Sequence, residues 1–465
     1  MTRRCILQIG TEKTGTTSLQ AFLAANRERL AARGIRYPRF PGATNHTGLA
    51  AYAMDEARRD PLRSALGIGD AAAVSSFRTR FAKEAQAELG ASGITVFCSE
   101  HCHSRLTSRE EVQRLFDLLD PHFDRIDVSV YLRRQDRVAI SLYSTRLKSG
   151  ATDTDILPRT DADDPYFNYD RSLALWEEVF APHHVHVRLF EREMLLGGDV
   201  VADFLSAWGL GAMRDYKPAA KLNESITAEA QDFLRRVNAT LEAPSGLPIE
   251  AVQGPLADSL ARAFPGKGPR PSRAAAQAFL DCYRASNEAV RRRHFPSRAT
   301  LFDESFDAYP AEADTVAFGI DEMARVAARL QTAHAREVRR LEAEIRLRDG
   351  QLAWERGARD DAIALFRRAV ALLPDHAEAR RTLAEYLYRL ERYDEAATET
   401  RRAIEDRPGR HEYWHFLGVV LRAAGDLDGA VDAQERALEI EPTHEPSRRT
   451  LDALRASLPL PQAAS

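Results

Sequence analysis

Leu7-Gln8-Ile9-Gly10-Thr11-Glu12-Lys13-Thr14-Gly15-Thr16-Thr17-Ser18-Leu19-Gln20 decides how the first two thirds of this chain read. An apolar run enters a turn built of glycine, threonine and serine, and the turn opens onto a stretch with helical periodicity. Such a turn aims backbone N–H groups at one spot, where the dipole of the following helix also favours an anion. Lys13 adds a mobile positive charge, and Thr14, Thr16, Thr17 and Ser18 add hydroxyl donors around Gly15. The nucleotide-triphosphatase loop G-x-x-x-x-G-K-[ST] orders these parts differently. Here Lys13 precedes Gly15, and no metal-binding hydroxyl follows a glycine–lysine pair. The plainer alternative is a strand–turn–helix with a polar cap.

Working outward, strand-like and helix-like segments alternate through the first ~310 residues, the pattern of a parallel sheet covered by helices on both faces. Strands are expected at Cys5–Gly10, Ile94–Cys98, Ile126–Leu132 and Val185–Phe190. Helices are expected at Thr17–Arg33, Arg137–Lys148, Ser172–Phe180 and Thr227–Leu241. The Pro- and Gly-rich segment Pro244–Arg273 reads as a loop leading to a helix capped by Ser272.

A second anion-binding signal follows the third strand, in Arg133-Arg134-Gln135-Asp136-Arg137-Val138-Ala139-Ile140-Ser141-Leu142-Tyr143. A guanidinium at a strand end offers a planar fork to phosphate, and a serine near a helix start adds a directed donor. Arg134 and Arg137 read as solvated or capping residues of that helix.

The order K-T-G-T-T-S after a strand, with Arg133 and Ser141 at their spacing, resembles the sulfotransferases that use 3′-phosphoadenosine 5′-phosphosulfate (PAPS). The resemblance covers about residues 1–310 and is nearest to bacterial carbohydrate-type members. Asn45-His46, Ser99-Glu100, Tyr169-Asp170 with Trp176, and Asn223-Glu224-Ser225 add weaker points of likeness. The late R-K-G-x-x-G-D-W motif of many cytosolic relatives is absent, with Lys267 and Arg270 as its candidate substitutes. The resemblance implies that Lys13, Thr14, Gly15, Thr16, Thr17 and Ser18 hold the 5′-phosphosulfate, and that Arg133 and Ser141 hold the 3′-phosphate. It also implies a metal-independent transfer to an acceptor hydroxyl, with a carbohydrate the first expectation.

Transfer needs a group to stabilise the leaving phosphate, and the ammonium of Lys13 suits that task. A base must also take the acceptor's proton. His46 has the right intrinsic pKa, while Glu100 follows the C-terminal end of a central strand, where α/β sheets place their sites. Of the two, His46 is the expected base, against the plain reading that it caps the next helix. Cys98, His101, Cys102 and His103 invite a zinc reading, but C-x-x-H-C-H spaces four ligands poorly around a tetrahedral ion. Tyr166, Phe167 and Tyr169 are candidate walls of an acceptor cleft, whereas Trp176 reads as core.

The last third repeats itself. Pro374, Pro408 and Pro442 are 34 residues apart; twelve positions before each stand Ala362, Ala396 and Ala430, and five before each stand Ala369, Ala403 and Ala437. This pattern resembles the tetratricopeptide (TPR) repeat, over about residues 343–444. The consensus aromatic is present as Phe366 but replaced by Thr400 and Gln434 in the later units. Stacked helix pairs of this kind form a concave groove that takes a protein partner.

Residues 321–348 lack Gly and Pro and carry Val326, Leu330, Val338, Leu341 and Ile345 at helical spacing, which predicts a connector helix. It packs on the first repeat or forms a short coiled-coil seam.

Bulk properties narrow the field. With 65 basic and 69 acidic side chains the net charge is −4, which argues against nucleic-acid binding through bulk charge. No apolar run is long enough for a membrane span or signal core, and four cysteines do not form a disulfide framework, so a cytoplasmic address is expected.

The expected fold is a P-loop-type parallel α/β sulfotransferase domain (1–310), a helical connector (311–342), an all-α TPR solenoid of three repeats with a capping helix (343–458), and a frayed tail (459–465). The competing functional readings are a non-catalytic nucleotide-binding TPR scaffold and a P-loop kinase or NTPase.

Overall fold

The computed structural model describes residues 2–89, 93–181, 184–218, 225–241, 249–316 and 319–457. The chain divides into two compact units, Met1–Val326 and Ala327–Ser465.

The first unit is built on five parallel strands in the order β2-β3-β1-β4-β5. They are β1 (Arg3–Gln8), β2 (Ile35–Arg36), β3 (Gly93–Cys98), β4 (Arg125–Leu132) and β5 (His184–Leu189). All four expected strands are present. The added edge strand β2 spans two residues, too short to show a period. β1 lies at the centre, paired with β3 on one side and β4 on the other. Its side chains alternate between two hydrophobic layers: Cys5, Leu7 and Ile9 enter one, and Ile6 enters the other. Helices therefore cover both faces, and a side chain at the strand ends can reach a shared rim.

Three helices matter most for that rim: α1 (Thr16–Ala25), α2 (His101–Arg105) and α3 (Gln135–Lys148), which follow β1, β3 and β4. The expected helix over Thr17–Arg33 is in fact two, broken at Asn26. The Asn26 side chain donates to the Phe22 carbonyl at 3.0 Å and accepts from the Lys217 N–H at 2.8 Å, bonding backbone of the preceding helix and of a distant segment. The expected Ser272 cap is present, with its hydroxyl accepting from the Ala275 N–H. Arg134 corrects the sequence reading. It is buried, pairs with Asp136 at 2.8 Å and donates to the Asp303 and Ser305 carbonyls.

The second unit is all helical. Helix α4 (Ile320–Glu355) covers the expected helix over 321–348 and runs on into the first repeat, starting nine residues later than the expected 311–342 connector. Then come α5 (Arg359–Leu372), α6 (Ala377–Arg389), α7 (Tyr393–Asp406), α8 (His411–Ala424), α9 (Leu427–Ile440) and the capping helix α10 (Glu445–Ser457). The six periodic alanines are all fully buried, where a larger side chain would hold paired helices apart. Thr400 and Gln434 fill the place of Phe366 by satisfying their polar atoms internally. Thr400 donates to the Ala396 carbonyl at 2.7 Å, and Gln434 donates to the His415 carbonyl at 2.9 Å. The expected tail 459–465 lies outside the described residues.

Candidate functional site

The turn after β1 is fastened along the end of β4. Tyr131 N–H donates to the Gly10 carbonyl at 2.7 Å, and the Thr11 N–H returns a bond to the Tyr131 carbonyl at 2.9 Å. Gly10 has φ 119°, and a Cβ there would stand 3.2 Å from Glu100 Cα, so glycine lets the first and third strands' loops touch. Gly15, at φ 76°, begins α1; a Cβ there would stand 2.8 Å from Val200 Cγ1. No side chain caps this helix start, and its first residues line the cavity beside it.

That cavity, of about 680 Å³, is lined by Lys13, Gly15, Thr16, Thr17 and Ser18 from the turn, and by Arg133 and Ser141 from the β4–α3 segment. Glu100 also stands on its wall. The Lys13 ammonium donates to the Thr145 hydroxyl at 2.6 Å, and burial pulls its pKa down, opposed by the charges of Glu12 and Glu100. Arg133 donates to the Lys13 carbonyl at 2.8 Å, stands 5.6 Å from the Phe190 ring centre, and is braced by Tyr169, whose hydroxyl donates to its carbonyl.

Two expected site residues face elsewhere. Thr14 is buried and spends its hydroxyl on the Thr11 carbonyl at 2.6 Å, which leaves that hydroxyl no proton to donate to a ligand. His46 is fully buried, stacked on Tyr37, with Nε2 donating to the Pro38 carbonyl at 3.0 Å and Nδ1 accepting from the Cys98 N–H at 3.2 Å. Burial lowers its pKa to about 3. It does not reach the cavity, so the expectation that His46 is the base is corrected by the geometry. His46 pins its loop to β3 and does not cap the next helix with its side chain.

Glu100 is held at the rim. Gln20 donates to one carboxylate oxygen, and Asn45 donates to the other at 3.3 Å. Neighbouring His101 and Arg105 line the same cavity, and Glu12 sits between them and Tyr166. Thr145 and Lys148 complete the opposite wall. Sequence reading missed these, although a usable signal exists: Thr145 and Lys148 follow Ser141 by four and seven residues, on one helical face.

The remaining candidates are distributed differently. Arg270 is paired with Asp314 at 2.9 Å, and Lys267 is exposed on the same loop. Gly266 of that loop donates to the carbonyl of Ser225, a wall residue; Asn223 and Glu224 lie outside the described residues. Phe167 and Trp176 are core, Tyr169 is buried, and Tyr166 bonds Glu12. Among the described residues no three His, Cys, Asp or Glu side chains are grouped to hold a metal ion. Nor is any helix among them long and apolar enough to cross a membrane.

The family matches fall in the second unit. The tetratricopeptide repeat family matches residues 353–418 and, separately, residues 411–444. Residues 353–444 form a TPR array. Human tetratricopeptide repeat protein 7B is 37% identical over 92 residues, covering 20% of this chain and 11% of that protein. An uncharacterized protein of Archaeoglobus fulgidus is 27% identical over 196 residues, covering 38% of this chain and 49% of that protein. The chain thus spans at most about half the length of these relatives. The solved first TPR of Spaghetti, bound to an HSP90 peptide, shares 20% identity with a TM-score of 0.24, covering 25% of this chain and 93% of that one.

Proposed function

We propose that this chain is a PAPS-dependent sulfotransferase acting on an acceptor hydroxyl, with the TPR array recruiting a protein partner. One observation carries the reading: Lys13, the uncapped start of α1, Arg133 and Ser141 line a single cavity of about 680 Å³. Cations, hydroxyls and helix N–H groups converge there, and such a set fits a ligand carrying two anionic groups. PAPS would supply the sulfuryl group, with Thr16–Ser18 and Lys13 around its 5′ end and Arg133 and Ser141 around its 3′-phosphate.

Lys13 neutralises the charge that develops on the departing phosphate oxygen. Thr145 holds the ammonium in place beforehand, so little reorganisation is needed at the moment of transfer. The Glu100 carboxylate takes the proton of the acceptor hydroxyl, oriented by Gln20 and Asn45. A carbohydrate hydroxyl is the proposed acceptor, on the family resemblance.

Calorimetric titration with 3′-phosphoadenosine 5′-phosphate (PAP), beside adenosine monophosphate and Mg-ATP, tests this. Tight, magnesium-independent binding that needs the 3′-phosphate is expected. Binding of PAP with no transfer to any hydroxyl acceptor favours a nucleotide-binding scaffold; Mg-ATP turnover favours a P-loop NTPase; no PAP binding by folded protein sinks the proposal.

A further inference from the structure

The first repeat of the TPR array exposes apolar surface. Leu341, Ile345 and Leu352 on α4 are 46%, 54% and 43% exposed. A groove of about 460 Å³ lies between α4 and α5, lined by Leu352, Ala353, Ala364 and Leu365, with Asp349, Asp361, Arg356 and Arg368 among them. The other end of the array differs: α10 turns Arg448, Arg449, Asp452 and Arg455 outward, the polar face that ends a solenoid.

The array itself shows what such a face accepts. One repeat later, Tyr386 takes the place of Leu352 and is covered by Phe366 and Trp354 of the preceding repeat, at ring distances of 4.5 and 4.7 Å. Glu395 takes the place of Asp361 and pairs with Arg367 of the preceding repeat at 2.6 Å. The first repeat presents the same stacking chemistry with no preceding repeat of its own. Asp361, Arg356 and Arg368 make no ion pair among the described residues.

We propose that this face pairs with the same face of a second copy of the chain, giving a two-fold dimer. The charges favour self-pairing over a partner of one sign. Asp361 and Arg368 stand two turns apart on α5, with Ala364 and Leu365 between them. An antiparallel mate therefore sets each Asp361 against the other copy's Arg368, as a two-fold contact requires. The apolar residues of α4 are covered in the same step. This surface is separate from the concave groove and does not depend on the sulfotransferase reading.

Sedimentation velocity on the full chain over a concentration series tests it, with far-UV circular dichroism to confirm folding. A reversible dimer is expected, lost in Leu352→Glu and in Asp361→Arg, and restored in the double swap Asp361→Arg with Arg368→Asp. Asp361 is exposed, so its reversal leaves the fold intact even if Leu352→Glu does not. A monomer at every concentration overturns the proposal and leaves the face to a different protein. A dimer indifferent to both single variants, or a double swap that restores nothing, overturns it as well.

Discussion

Lys13 and Thr145 meet across the cavity in a 2.6 Å hydrogen bond, so the loop lysine is positioned by a residue on the helix that also carries Ser141. The turn after β1 and the β4–α3 segment are thereby linked. Replacing Lys13 by Ala should lower kcat by about 10²–10³-fold, the range for removing one preorganised charge donor. PAP affinity should fall far less. Thr145→Val should give a smaller loss in kcat with the nucleotide still bound; equal losses in binding and turnover for Lys13→Ala would contradict its role at the leaving group.

Glu100 and His46 are separable by experiment because one lines the cavity and the other does not. Glu100→Gln is expected to cut transfer by about 10²–10⁴-fold, the usual contribution of a general base, with PAP binding unchanged. His46→Ala strands the Pro38 carbonyl and the Cys98 N–H and should cost roughly 1–3 kcal/mol per stranded group, read as a lower melting temperature. Its kcat per folded molecule should hold. A reversal of these two phenotypes would return the base to His46.

Acid should destabilise the first unit through its buried imidazoles. Burial holds His46 neutral down to about pH 3 and His103 down to about pH 4, below the ordinary value of 6.5. Between those limits the unfolded chain binds the extra protons, so stability is full above about pH 6.5 and falls as pH drops, by at most about 1.4 kcal/mol per pH unit per histidine. Urea titrations from pH 7 to 4 should show this slope, and His103→Phe should flatten it. An unchanged slope in that variant would remove His103 from the account.

Gly357, Glu391 and Gly425 occupy the same place in successive repeats, with φ of 84°, 60° and 90°. Only the middle one carries a side chain in a left-handed conformation. Glu391→Gly should therefore stabilise the array by about 1 kcal/mol, and Gly425→Ala should destabilise it by a similar amount. Thermal melts of the full chain, followed by helical signal, would show opposite shifts; shifts of the same sign would contradict the strain argument.

Sequence alone determined the elements whose physics is local. The apolar strands, the turn at Gly10–Ser18 and the 34-residue spacing of Ala and Pro are periodicities and backbone preferences, and each needs only its neighbours to be read. The pairing of Lys13 with Arg133 and Ser141 is expected only from the family resemblance; the parallel pairing of β1 with β4 is what brings the three to one rim. What the tertiary structure decided is the direction each polar side chain takes there. Asn26 split a helix by bonding backbone from two segments, and His46 turned inward because Pro38 and Cys98 offered partners. Arg134 was buried by Asp136 and two distant carbonyls, while His101, Arg105 and Lys148 came to the cavity wall. A polar group goes wherever its hydrogen bonds and charge are satisfied, and for Asn26, His46 and Arg134 at least one partner lies more than fifty residues away.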